Sequence, residues 1–212
     1  MNEQTEETIG YIVGGSLRDG LYVRLSVSPE KVKEGSFVVT DSGNWRFYGL
    51  ITNLALGATN PRFADERPSR IESAFIRRAL MGKTLYTTLE MYTTLMMDIS
   101  QLTRLEDWDN AAGLQPVKTV PAHHVPVRLA REEDVEAIFG KEKPGSFVIG
   151  YTLEQGYPVR LDLKKFVQRS SGIFGATGTG KSFLTRMALA GLMREGAASA
   201  LVFDMHNEYA FD

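Results

Sequence analysis

The sequence predicts an α+β chain in two parts: a small N-terminal β-barrel with an inserted helix, followed by the beginning of a phosphate-loop α/β domain. Three observations carry that prediction. Short strand-like runs separated by turns rich in Gly, Asp and Asn fill the first half of the chain. The segment Gly175-Ala176-Thr177-Gly178-Thr179-Gly180-Lys181-Ser182 matches G-x-x-x-x-G-K-[ST], the loop that wraps nucleotide phosphates. Between the two lies Lys141 to Gly145, which reads as a linker and sets the division near residue 143, with domains of 1–143 and 144–212.

In the first part, Ile9 to Val13 and Leu21 to Val27 are strand-like runs around Gly14-Gly15 and Asp19-Gly20. Gly35 to Thr40 leads through the turn Asp41-Ser42-Gly43-Asn44 into Trp45 to Leu54. A loop from Gly57 to Arg67 precedes a helix. Its capping box pairs Ser69 with Glu72, its apolar residues are Phe75, Ile76 and Leu80, and Gly82 is its stop. Tyr86-Thr87-Thr88-Leu89 and Tyr92-Thr93-Thr94-Leu95 repeat after six residues. An even offset keeps equivalent side chains on one face of a strand but not of a helix, so 84–97 reads as strand.

Gln115 to Pro121 and Pro126 to Leu129 are extended, their prolines suiting edge strands. Arg131 to Phe139 places carboxylates in its first turn, as a helix N-terminus favours, and Gly140 ends it. Ser146 to Gly150 and Pro158 to Leu163 form a hairpin leading into the phosphate-binding unit. There, Ser171 to Phe174 predicts a buried strand, Phe183, Leu184, Met187, Ala188, Leu192 and Met193 recur at helical spacing, and Gly196 closes the helix. Ala198 to Asp204 predicts a second buried parallel strand, completing a βαβ unit.

The loop's residue types match its chemistry. Gly175 allows a tight turn, and Gly178 and Gly180 can take positive φ, which aims successive backbone N–H groups at the phosphates. Lys181 adds a compact positive charge between the β- and γ-phosphates, the Ser182 hydroxyl is placed to ligate Mg²⁺, and the helix N-terminus adds its partial positive charge. The expected ligand set for ATP is Gly175, Ala176, Thr177, Gly178, Thr179, Gly180, Lys181, Ser182 and Phe183. Asp204 is the acid at a strand end after the loop, 23 residues beyond Lys181. It and Ser182 are the metal candidates, and Lys181 and Glu208 the catalytic ones. For Asp204 and Glu208 the alternative is a structural role in the turn after the strand, and a lone His206 at the same place equally suits holding that loop.

Other features have bland readings. His123 and His124 adjoin in an extended segment, where neighbours point to opposite faces. Arg77-Arg78 and Lys164-Lys165 have the chemistry to touch DNA phosphates but read better as solvated faces, and Trp45, Phe47 and Tyr48 suit barrel core or subunit contact better than base stacking.

With 212 residues and no cysteine, the chain can bury a core without disulfides or a cysteine-based metal site, which is compatible with a reducing interior. No apolar run approaches the ~18 residues of a membrane span, and the polar, acidic start Asn2 to Glu7 is unlike a secretory signal. A cytoplasmic protein without a membrane partner is expected. A net charge of −2 offers no whole-molecule attraction to nucleic acid, so DNA contact requires a local basic surface or pore loops.

The phosphate loop, preceded by Gln168 to Phe174 and followed by Val202-Phe203-Asp204-Met205-His206-Asn207-Glu208-Tyr209, resembles the HerA family of hexameric DNA-translocating ATPases, within the HerA/FtsK group. The family's Asp-Pro-His-Gly-Glu-Tyr signature is met at Asp204, His206, Glu208 and Tyr209, while Met205 and Asn207 replace the usual Pro and Gly. Gly10 to Val13, Phe37 to Val39 and Tyr48 to Ile51 are similar to the family's N-terminal barrel, which itself resembles that of ATP synthase subunits.

The resemblance implies a RecA-like motor domain and a homohexameric ring that pumps double-stranded DNA by ATP hydrolysis. It also implies a nuclease partner of the NurA type, or a defence effector, docked on the barrel. The family's metal acid, catalytic glutamate and arginine finger fall beyond Asp212, so the chain is expected to be the N-terminal part of a longer protein, without hydrolysis of its own. The other readings are a different phosphate-loop enzyme, such as a secretion or conjugation motor or a small-molecule kinase, and a non-hydrolysing assembly or partner-binding module.

Overall fold

The computed structural model describes residues 8–58, 85–101, 113–205 and 209. They fall into two compact units, one built from 8–58, 85–101, 113–131 and 153–155, the other from 132–152, 156–205 and 209.

The first unit is a closed six-stranded antiparallel barrel. Its strands are β1 (Thr8–Ser16), β2 (Gly20–Leu25), β3 (Phe37–Ser42), β4 (Trp45–Ala58), β5 (Leu85–Asp98) and β7 (Pro126–Leu129), while β6 (Leu114–Pro116) adds a short flank to β5. The order around the barrel is β2-β1-β7-β3-β4-β5, and β2 pairs back onto β5 to close it through Leu21↔Met91, Tyr22↔Glu90, Val23↔Leu89 and Arg24↔Thr88. Alternation along each strand sends one set of side chains inward. Ile9, Ile12, Leu21, Val23, Val38, Ile51, Leu89, Met91 and Val127 thus meet in one core, joined by Val32 from the segment after β2. Register shifts in β1 between Ile12 and Gly14, and in β4 at Tyr48/Gly49 and Ile51/Asn53, supply the bends that closure needs.

The six-residue repeat does lie on one long strand, β5, with Leu89 and Met91 fully buried. Phe47 and Tyr48 are both buried although they are neighbours on β4, so that strand is covered on both faces there. β4 continues through Gly57 and Ala58, which the sequence assigns to a loop. The predicted helix over 69–82 and the rest of that loop lie outside the described residues. Leu153–Gln155 also belong to this unit: the Gln155 amide accepts from Phe37 N at 3.2 Å and donates to Phe37 O at 2.8 Å, as a pairing strand does.

The second unit begins with α1 (Glu132–Phe139), three acids in its first turn and Gly140 at φ 86° beyond its end. The hairpin of β8 (Ser146–Tyr151) and β9 (Pro158–Asp162) follows, then α2 (Leu163–Val167) and α3 (Lys181–Glu195). α3 packs on β8 at a point where only glycine fits: a Cβ on Gly191 would stand 2.8 Å from the Phe147 ring. It ends at Gly196, whose N–H bonds back to the last turn.

The two predicted buried strands of this unit do not form. Residues 171–174 and 198–204 carry no strand pairing, and Phe174, Leu201 and Phe203 are strongly exposed. A parallel strand exists only through hydrogen bonds to neighbours in its sheet, and among the described residues no strand lies beside either run. Among the described residues, no helix is long and apolar enough to cross a membrane.

Candidate functional site: the phosphate loop and the first turn of α3

Residues 175–180 form an exposed loop that enters α3 directly, with Gly180 as its N-cap residue. Gly178 (φ 83°) and Gly180 (φ 90°) both lie in the left-handed region, where any other residue would be strained. Gly175 is required for a different reason: a Cβ there would stand 2.6 Å from Thr179 Oγ1. Thr179 braces the loop from within, its hydroxyl and its N–H both donating to Ala176 O, at 2.7 and 3.3 Å.

Lys181 is half-buried at the start of α3 and reaches back along the loop, its Nζ donating to Ala176 O at 2.7 Å. Ala176 O thus accepts from both Thr179 and Lys181 and holds the ammonium against the loop. Ser182 and Phe183 follow in the first turn, and no side chain caps that helix end. The start of α3, without a capping side chain, thus lies beside a held ammonium, an arrangement that suits an anion.

Asp204 is half-buried and its Oδ2 accepts the Tyr209 N–H at 2.8 Å. The Arg186 guanidinium lies 5.8 Å from the centre of the Tyr209 ring, which places Tyr209 against α3 one turn beyond Ser182. The candidate residues Gly175 to Phe183 are thus contiguous, and Tyr209, whose N–H Asp204 accepts, stands beside the same helix. Glu208 and His206 lie outside the described residues. Among the described residues, no group of three or more His, Cys, Asp or Glu side chains is placed to hold a metal ion. The sequence reading missed three contributions: the Thr179 brace, the Arg186–Tyr209 contact, and the fit of Gly191 to Phe147 that seats α3. The loop's spacing advertises its glycines and lysine, whereas these depend on contacts between segments.

The family model described as "Helicase HerA, central domain" matches residues 147–211, which take in the loop, α3 and Asp204. A protein named DNA double-strand break repair helicase HerA from Saccharolobus solfataricus is 27% identical over 201 residues, covering 95% of this chain and 36% of that protein. The chain is HerA-like. Its namesake from Sulfolobus acidocaldarius is 27% identical over 202 residues, again 95% of this chain and 36% of its own length. A protein named as a probable helicase from Methanocaldococcus jannaschii is 27% identical over 204 residues, with 96% and 36% covered. The HerA likeness therefore runs through the barrel as well as the phosphate loop, and the chain spans about a third of the length of the curated relatives it matches.

Proposed function

We propose that this chain is the ATP-binding part of a HerA-type, ATP-driven double-stranded DNA translocase or helicase, acting in DNA end processing or in antiphage defence. The observation that carries the reading is the phosphate loop, with left-handed Gly178 and Gly180, crowded Gly175, and Lys181 held over Ala176 O at the uncapped start of a 15-residue helix. The HerA names of the relatives support the substrate class, since two are named as DNA double-strand break repair helicases.

On this reading residues 1–143 form the assembly and partner-docking domain, and 144–212 the nucleotide-binding part. The parent is a cytoplasmic homohexamer whose barrel docks a nuclease or other effector. The loop's N–H groups from Gly175 to Phe183 cradle the ATP phosphates, and Lys181 exchanges Ala176 O for the β- and γ-phosphate oxygens. Bound Mg²⁺ would neutralise phosphate charge. The Ser182 hydroxyl, in the first turn of α3, would hold it, with Asp204 in an outer role. Glu208 would orient the attacking water.

The test is binding of a fluorescent ATP analogue to the chain and to Lys181→Ala. A loss of about a hundred-fold in affinity, roughly 2.7 kcal/mol, is expected at unchanged unfolding midpoint. Equal affinity in the two proteins sinks the nucleotide reading. In the longer protein, turnover stimulated by double-stranded DNA separates a DNA motor from a small-molecule kinase. The commitment of Asp204 Oδ2 to the Tyr209 N–H favours a second reading, a non-hydrolysing assembly module. In that case Lys181→Ala leaves partner binding intact.

A further inference from the structure

Three donors converge on one carbonyl of the phosphate loop. Ala176 O accepts the Thr179 hydroxyl at 2.7 Å, the Lys181 ammonium at 2.7 Å and the Thr179 N–H at 3.3 Å. The N–H contact closes a four-residue turn whose third position is Gly178 at φ 83°. A carbonyl oxygen has two lone pairs, so the two short bonds use its capacity and the longer N–H contact adds little. Hydroxyl and ammonium therefore share one acceptor, and each loosens the other's hold on it.

Gly175 makes room for this arrangement. It does not take positive φ, so its backbone would admit a side chain, but a Cβ there would stand 2.6 Å from Thr179 Oγ1 and 3.4 Å from Lys181 Cγ. The first glycine of the loop thus serves the two side chains that meet at Ala176 O.

For Lys181 to reach a phosphate it must leave Ala176 O, and the cost of leaving depends on what that oxygen keeps. With the Thr179 hydroxyl in place, it keeps a full hydrogen bond. Without the hydroxyl, it would hold the ammonium undivided before the move and retain only the 3.3 Å N–H contact and solvent after it. We infer that Thr179 is a positioning residue of the nucleotide site, whose hydroxyl shares the Ala176 carbonyl with Lys181 and so eases the transfer of the ammonium onto the phosphates. Resting on the nucleotide site proposed above, this role acts through Lys181 and not on the ligand itself. Ala176 is exposed, so water offsets part of a lost bond and the effect is one modest hydrogen bond, about five-fold in affinity.

The test titrates a fluorescent ATP analogue with Mg²⁺ into the chain, into Thr179→Val, which keeps the branched shape and loses the donor, and into Thr179→Ser, which keeps the donor. Valine should weaken binding about five-fold and serine should stay within about two-fold of the parent, at a common unfolding midpoint. The deciding measurement repeats Thr179→Val in Lys181→Ala. With no ammonium to release, the substitution should there change affinity by less than about two-fold. The same five-fold loss in both backgrounds makes Thr179 a brace independent of Lys181 and overturns the inference, as does unchanged affinity in Thr179→Val or a serine variant as weak as valine. An unaltered chain that binds no analogue sinks the nucleotide reading and this role together. Binding that is lost in Lys181→Ala but indifferent to Thr179 leaves that reading standing and removes this role alone.

Discussion

The barrel and the phosphate-loop unit use similar apolar residues with opposite outcomes. In the barrel, Val23, Ile51, Leu89 and Met91 are wholly buried because every one of the six strands has a neighbour on each side. In the second unit, Phe174 is 93% exposed and Phe203 87%, although both sit in short apolar runs. The difference lies in the neighbours. A strand's hydrophobic pattern states which side chains favour burial, but burial itself requires a paired ladder and a covering layer.

The comparison can be sharpened by removing comparable bulk from each unit. Leu89→Ala, in the barrel core, should cost about 3 kcal/mol through lost transfer energy and the cavity left behind, seen as a lower urea midpoint. Gly191→Ala probes a tightly fitted helix–sheet contact of the second unit. The clash with Phe147 should cost about 1–3 kcal/mol, against a gain of about 1 kcal/mol in helix propensity, so a net loss near 1 kcal/mol is expected. A stabilised Gly191→Ala protein would show that this contact yields freely.

Asp162 supplies a smaller effect with a pH signature. Its carboxylate caps α2 by accepting the Lys165 N–H at 3.1 Å and pairs with Lys143. The Lys165 N–H, with Lys143 beside it, holds its pKa below the ordinary 3.8 against an opposing desolvation. A depressed carboxylate pKa means that the stabilisation is present above the ordinary value and is lost as pH falls through the lowered one. Asp162→Ala should therefore cost about 1 kcal/mol at neutral pH, and the deficit should vanish in acid. A deficit that persists at low pH would count against the cap. The smallest change is expected from Phe203→Ser, within about 0.5 kcal/mol of the parent, because the ring is already in water. Binding of a hydrophobic dye should fall in that variant. A loss of several kcal/mol there would erase the contrast between the two units.

The legible parts of this molecule are those whose signal is local. The six-residue repeat marks β5 as strand, the acids from Glu132 to Asp134 and the stop at Gly140 bracket α1, and Pro158 to Asp162 pairs with β8 as read. The strands read from Ser171 and Ala198 failed because their signal, a short apolar run, says nothing about a neighbour. The burial of Arg160 was invisible for a related reason: it alternates on its strand like any surface arginine, and only packing against other segments, α1 with Glu136 among them, encloses it.

By itself, the sequence determined the conformation of the glycine-rich loop before α3, because Gly175, Gly178, Gly180, Lys181 and Ser182 lie within eight consecutive residues whose backbone conformation their own types impose. The tertiary structure decided that β7 enters between β1 and β3, and that β2 closes onto β5 across more than sixty residues. It also decided that Gly191 must admit the Phe147 ring. These depend on register and on close packing between distant segments, and periodicity along the chain carries the direction of a side chain without naming what it will meet.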